Sequence, residues 1–262
     1  MFNRIYIEIT NICNLNCDFC PITKRVKKSM SVNDFEKVIL KIKDYTNHIY
    51  LHVKGEPFMH NDLDGIIKVA NKYNLNVNIT TNGRLISKNI DVVNNNKIRQ
   101  LNISLHSFSD MDEIKELLNV LDNIKDSYIS LRLWNDKDNS EIINVLECHY
   151  NKKIEFTGKR FTITDKVYLD KDICFSWPDI NKDVITTYGT CRGAKSQIAI
   201  LVDGTVVPCC LDNDGIIDLG NIFESSLNEI LESKRYKDIV NGFNNNKLVE
   251  ELCQKCGYRN RF

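Results

Sequence analysis

The 262-residue sequence predicts an α/β protein: an incomplete, TIM-like (β/α) barrel of five or six units over residues 1–150, then a small α+β module over 151–262. Two observations carry the prediction. Short β-branched runs alternate with amphipathic helical stretches through the first half, the rhythm of a parallel sheet covered by helices. Near Lys152 that rhythm gives way to short strands, a tight turn and a cysteine-bearing tail.

The elements follow in order. Arg4–Thr10 reads as a strand and Val32–Tyr45 as a helix; His48–Val53 with Leu63–Tyr73, and Asn76–Thr80 with Ile90–Asn94, repeat the pair. Leu101–Ser104 with Met111–Lys125, and Ile129–Trp134 with Glu141–His149, bring the units to five. In the module, Ile198–Val202 and Thr205–Pro208 flank Asp203-Gly204, a hairpin signature. Leu227–Asn241 reads as one helix. Cys148, in a helix, and Cys174, beside Phe175, read as buried core thiols.

Thirty-five basic and 35 acidic side chains give zero net charge, so no whole-protein field attracts nucleic acid or an anionic membrane. No window approaches the roughly 20 apolar residues of a membrane span, and the first residues lack a secretory leader's basic and apolar regions. A cytoplasmic location is expected. Ten cysteines in a reducing compartment point to metal or redox chemistry ahead of disulfides.

Three of them, Cys13, Cys17 and Cys20, form a CxxxCxxC set in the loop after the first strand. In parallel barrels the chemistry sits at the C-terminal strand ends, where this loop falls. Three thiolates can hold one face of an iron–sulfur cube and leave its fourth iron open. Structural zinc is the competing reading, but it would recruit a fourth Cys or His, and the nearest histidines in sequence are His48 and His52. Later strands also end in candidate groups. Lys54-Gly55-Glu56-Pro57 follows the second, Thr80-Thr81-Asn82-Gly83 ends the third, and Ser104 ends the fourth ahead of His106-Ser107. Arg132 is a charge inside the fifth, and by alternation it shares a face with Ser130 and Trp134.

With these motifs the chain resembles the radical S-adenosylmethionine (SAM) superfamily. The resemblance implies that Cys13, Cys17 and Cys20 hold a [4Fe-4S] cluster whose open iron is chelated by SAM, with Phe19 as the motif's aromatic. It implies that Gly55, Glu56 and Pro57 match the family's GGEP segment, with Lys54 in place of a glycine, and receive the methionine amino group. Thr81 and Asn82 would line the SAM pocket, Ser104 would contact its ribose or carboxylate, and Arg132 would hold that carboxylate or a substrate oxygen. The family's reaction starts with one-electron reduction, from a donor such as flavodoxin or ferredoxin. It yields methionine and a 5′-deoxyadenosyl radical that abstracts hydrogen from substrate.

Cys191, Cys209, Cys253 and Cys256 form a second set spread through the module. Four thiolates can close all four corners of a cube, although zinc fits the same spacing. The set resembles the SPASM and shorter Twitch appendages of radical SAM enzymes, which carry auxiliary clusters; four cysteines match the one-cluster Twitch form. Cys210 adjoins Cys209, and the x17 interval from Cys191 favours Cys209 as the ligand. Among members, the length and motif order resemble the dehydrogenases that oxidise an aminocyclitol alcohol. An auxiliary cluster without a free iron suits acceptance of the substrate's electron, giving a net two-electron oxidation. The accompanying base is open among His52, His106, Glu56 and Arg132.

The first strand begins at about Arg4, which leaves no room for a preceding peptide-binding domain and favours a small polar substrate over a peptide. Peptide modification is the nearest alternative. A non-catalytic iron–sulfur or zinc protein, used for electron transfer or as a scaffold, is the alternative of another class. It would not need polar motifs at successive strand ends.

Overall fold

The computed structural model describes residues 1–173 and 175–261. Five β/α pairs come first: β1 (Arg4–Ile7) with α1 (Val32–Ile42), β2 (His48–Tyr50) with α2 (Leu63–Lys72), β3 (Asn76–Thr81) with α3 (Ile90–Asn95), β4 (Ile98–Ser104) with α4 (Met111–Leu121), and β5 (Tyr128–Trp134) with α5 (Ser140–Tyr150). Then follow β6 (Arg160–Thr162), β7 (Val167–Asp172), β8 (Gln197–Ile200), β9 (Val206–Val207), α6 (Leu227–Glu232), α7 (Lys234–Asn244) and α8 (Glu251–Gln254).

All nine strands join one sheet in the order β6-β7-β5-β4-β3-β2-β1-β8-β9. β1 to β5, β7 and β8 are parallel, while β6 and β9 run antiparallel at the two ends and leave the sheet unclosed. The expected incomplete barrel is therefore present. The sheet nevertheless crosses residue 150, where a separate module was expected to begin. An open barrel exposes unpaired backbone groups at both edges; β7 pairs with β5 at one edge, and β8 with β1 at the other.

The two faces of the sheet differ sharply. One carries Ile5, Ile7, Ile49, Val77, Ile79, Leu101, Ile103, Ile129, Leu131 and Leu133, each at most 3% exposed. The helices cover this face with stripes at i, i+3, i+4 and i+7, as with Phe35, Val38, Ile39 and Ile42 of α1. Ser31 caps α1 by accepting from the Asp34 backbone N–H. The opposite face is polar: register aligns Tyr6 with Tyr50, Tyr50 with Asn78, Asn102 with Ser130, and Ser104 with Arg132 and then Asp170. That face looks into the barrel.

The hairpin forms as expected, with Ala199 opposite Val207 and Gly204 at φ +91° in its turn. Two expectations fail. The stretch read as one helix from Leu227 breaks at Ser233, whose extended backbone (ψ 149°) and hydroxyl cap α7 by accepting from Tyr236 N. Cys148 is exposed, because α5 turns only Ile142 and Leu146 fully inward. Cys174 lies outside the described residues. Among the described residues no helix is long and apolar enough to cross a membrane.

Candidate active site

The loop carrying Cys13, Cys17 and Cys20 is positioned by a buried carboxylate at the end of β1. Glu8 is fully buried and takes both guanidinium N–H groups of Arg25, at 2.7 and 2.6 Å. It also accepts from Lys54 N at 3.1 Å and Val202 N at 3.0 Å. One side chain thus fastens the far limb of the cysteine loop to the turn after β2 and to the end of β8. Arg25 continues the chain of contacts, with Nε donating to Asn213 O at 2.8 Å. Cys13 is exposed and Cys17 and Cys20 are half-buried; burial followed by neighbouring charges raises the pKa of Cys13 and Cys17.

The turn after β2 approaches this loop closely. Gly55 has φ +76°, and a Cβ there would stand 2.4 Å from Thr10 O and 2.8 Å from Ile12 O. Only glycine fits. Glu56, 2% exposed, accepts from Asn82 N at 2.8 Å and Phe58 N at 3.2 Å, so its carboxylate ties the second turn to the third. Burial raises its pKa, partly offset by these N–H donors. Pro57 starts a short 3-10 turn behind Glu56 and does not line the cavity. Lys54, where the GGEP pattern has glycine, sends its ammonium to Cys20 Sγ at 2.8 Å and to the Pro21 carbonyl.

A Gly55→Ala variant is expected to lose at least ~2 kcal/mol, since strained φ adds to a backbone clash that cannot relax cheaply. Chemical denaturation measures the loss, and equilibrium dialysis with SAM would show weakened binding beside it.

Thr81, on the strand face of Val77 and Ile79, is buried and its hydroxyl accepts from Gly83 N at 3.0 Å, whereas Thr80, on the barrel face, has a buried Oγ1 without a partner. Asn82 Nδ2 reaches Asn14 Oδ1 at 2.9 Å. Ser104 accepts from Ser107 Oγ through its carbonyl at 2.7 Å. Arg132 donates from Nη2 to Asn102 Oδ1 at 2.7 Å and lies 4.6 Å over the Trp134 ring, but its buried Nε has no partner. Desolvation lowers its pKa, and no carboxylate forms an ion pair with it within 4 Å among the described residues. Nδ1 of His52 is likewise buried and unpartnered; burial, then the Arg132 charge, lowers this histidine to about 3, so it is neutral across the physiological range. His106 Nδ1 lies 3.1 Å from Arg132 O and 3.3 Å from Trp134 N, with the Phe19 ring edge-on at 5.3 Å.

The second set is more enclosed. Burial pushes the Cys209 thiol well up, raises Cys191, Cys253 and Cys256, and lifts Cys210 to about 11. In Cys209 and Cys253 the neighbouring cysteines add to the effect, so the set is mutually close. Cys210 takes a separate direction, towards Tyr6. Among the described residues no three Cys, His, Asp or Glu side chains converge as ligands of one metal ion. Tetrahedral zinc needs sulfurs roughly 3.8 Å apart, from Zn–S bonds of about 2.3 Å. A cube spreads its cysteines over separate irons.

A single cavity of about 610 Å³ unites these groups. Cys13, Cys17 and Cys20 line it, as do Cys191, Cys209, Cys253 and Cys256. Phe19, Gly55, Glu56, Thr81, Asn82, Ser104, His52, His106 and Arg132 complete the expected wall. Sequence reasoning missed Arg4, Tyr6, Tyr50 and Trp177, which line it too, and of the Thr80-Thr81 pair it gave a role only to Thr81. For the strand residues, the alternation Arg4-x-Tyr6-x-Glu8 and His48-x-Tyr50-x-His52 was the available signal. The Gly55 cradle, the unpartnered Thr80, His52 and Arg132 atoms, and the two thiol sets fit a polar cofactor held between iron–sulfur centres.

The architecture is an open barrel with two sets of cysteines facing one cavity. The family model described as the radical SAM superfamily matches residues 7–146, which is 140 of the 262 residues, and the chain belongs to that superfamily. A second model, SPASM, described as an iron-sulfur cluster-binding domain, matches residues 191–257. These matches bring SAM, a [4Fe-4S] cluster and an auxiliary iron–sulfur cluster as the cofactors. GTP 3′,8-cyclase of Campylobacter jejuni is 27% identical over 190 residues, which is 63% of this chain and 58% of the relative, so the chain spans a little over half that relative's length. BtrN in complex with AdoMet and 2-DOIA superposes with TM-score 0.69 at 18% identity, covering 98% of this chain and 93% of BtrN. Streptococcus suis SuiB bound to precursor peptide SuiA gives 0.64 at 19% identity, covering 97% of this chain and 69% of SuiB. At such identities the two likenesses concern the fold alone.

Proposed function

We propose that this chain oxidises a small polar alcohol of the sugar or aminocyclitol kind, using SAM cleavage at the first cluster and the auxiliary cluster as electron acceptor. The observation that carries the reading is the shared cavity: both cysteine sets line it, with polar strand side chains between them. A volume of about 610 Å³ that must also admit SAM leaves room for a small substrate. Residues 1–150 serve SAM chemistry and 151–262 the second cluster, although one sheet runs through both. The cytoplasm is the compartment that suits such oxidation-sensitive centres.

In this reading Cys13, Cys17 and Cys20 hold the first cluster, and Cys191, Cys209, Cys253 and Cys256 the second. When bound, the first cluster and SAM supply a hydrogen-abstracting radical, and the second cluster a place for the electron that oxidation releases. Gly55 lets the backbone approach SAM; Glu56, by holding Asn82 N, keeps the two flanking turns together; Thr81, Asn82, Ser104 and Phe19 border the same space. Arg132 Nε is free to hold an oxygen of SAM or substrate, and neutral His52 offers a second polar contact. His106 is one of the candidate bases, with His52, Glu56 and Arg132. Its Nδ1 stands between the Arg132 carbonyl and the donating Trp134 N–H, so the ring is fixed at the cavity wall. The tautomer that turns Nδ1–H to the carbonyl frees Nε2 to accept a hydroxyl proton, while the one that accepts from Trp134 does not.

The test uses anaerobically reconstituted protein, dithionite, SAM and a panel of polyols and aminocyclitols deuterated at the carbinol carbon. The expected result is 5′-deoxyadenosine carrying deuterium, in step with ketone. Label transfer only from peptides, or only from a nucleoside triphosphate, would replace the substrate class; no 5′-deoxyadenosine at all would favour the scaffold alternative.

A further inference from the structure

Between Cys20 and buried Met30 the chain is irregular, with a bend at Arg25, and its side chains alternate between less and more exposed as far as Val26. Thr23 and Arg25 turn inward, Thr23 Oγ1 to Asp214 at 2.6 Å and Arg25 to Glu8. Ile22, Lys24, Val26 and Lys28 turn out, with Ile22 84% and Val26 86% exposed. Lys27 is exposed beside them. The row is held stiffly: Asn11 Nδ2 donates to Val26 O at 2.9 Å, and its Oδ1 accepts from Lys28 N at 2.7 Å. Among the described residues no carboxylate forms an ion pair with Lys24, Lys27 or Lys28; the fields of Asp179 and Asp34 reach Lys24 and Lys28 only at longer range.

In a chain of zero net charge this is a local basic surface with two bare aliphatic side chains in it, and it begins two residues after Cys20. Exposed apolar groups ringed by like charge mark an interaction site for a complementary partner. Radical SAM chemistry consumes an electron that the chain itself does not make. We infer that the Ile22-Lys24-Val26-Lys28 row is the docking surface of an acidic flavoprotein that reduces the first cluster. The partner's carboxylates meet the lysines, and the apolar dimethylbenzene edge of its flavin meets Ile22 and Val26. One electron passes: the flavin is oxidised by one, the [4Fe-4S] cluster is reduced by one, and no atom is exchanged with this chain. The inference rests on the first cluster, not on the identity of the substrate.

The experiment follows cluster bleaching by stopped-flow absorbance, with cluster-loaded protein and an acidic flavodoxin in its fully reduced form. Lys24 and Lys28 do not line the cavity, so K24E/K28E leaves SAM binding and iron content unchanged. The wild type is expected to slow at least tenfold between low and high ionic strength. K24E/K28E is expected to be at least tenfold slower at low salt, to lose the salt dependence, and to match wild type when titanium(III) citrate is the reductant. Equal flavodoxin rates for the two proteins overturn the inference. A ferredoxin that outpaces the flavodoxin, with the same dependence on the two lysines, overturns the choice of a flavin donor. Failure to oxidise any polyol touches only the proposed substrate and leaves these rates as they are.

Discussion

Replacing Cys13, Cys17 and Cys20 together with alanine is expected to abolish 5′-deoxyadenosine formation while leaving the fold intact. The three thiols are exposed or half-buried on a loop outside the hydrophobic core, so their removal opens no cavity of consequence. Without thiolates no iron–sulfur cluster can be held there. The expected signature is loss of one cluster's worth of iron and sulfide, with circular dichroism and the denaturation midpoint near wild type. Continued SAM cleavage by the variant would remove these cysteines from the chemistry altogether. Alanine at Cys191, Cys209, Cys253 and Cys256 makes a useful contrast, because those thiols are more enclosed and their loss should also lower stability.

Glu8→Ala is expected to have the largest effect on stability. The carboxylate is fully buried and serves a bidentate arginine and two backbone N–H groups from distant parts of the chain. Removing one member of such a buried pair typically costs about 3–5 kcal/mol, because the other charge is left without its partner. Urea denaturation of the apo protein would give the number. Arg25→Met leaves a buried carboxylate with only N–H donors and should cost a similar amount, and the double variant should cost less than the sum of the two. Additive losses would mean that the pair is not the fastening described above.

The parts legible in sequence were those with short-range signatures. Five β/α units, the cysteine spacings, the Gly55-Glu56 turn and the Asp203-Gly204 hairpin each declare themselves within a dozen residues. Glu8 does not. Its partner Arg25 lies 17 residues on, and its backbone donors come from Lys54 and Val202, so no local window distinguishes it from an ordinary strand-end carboxylate. Thr80 and Thr81 show the same limit at closer range: the motif directs attention to Thr81, but strand alternation leaves Thr80 as the residue with the unpartnered hydroxyl. The junction near residue 150 was blurred because edge strands obey hydrogen-bond saturation, not family boundaries. β7 and β8 complete a sheet begun by the other half of the chain.

The pairing of β8 directly beside β1 has a geometric consequence. Ile7 faces Ile200 in register, so the strand leading into Cys13 and the hairpin leading into Cys209 are locked side by side. A slip of two residues would shift one against the other by about 6.6 Å, yet each is held by strand pairing on both sides, β1 between β2 and β8, and β8 between β1 and β9. The span between the two centres is thus gauged by the sheet itself. Loops around the cavity rim can lengthen, shorten or change composition to suit a different substrate without recalibrating that span.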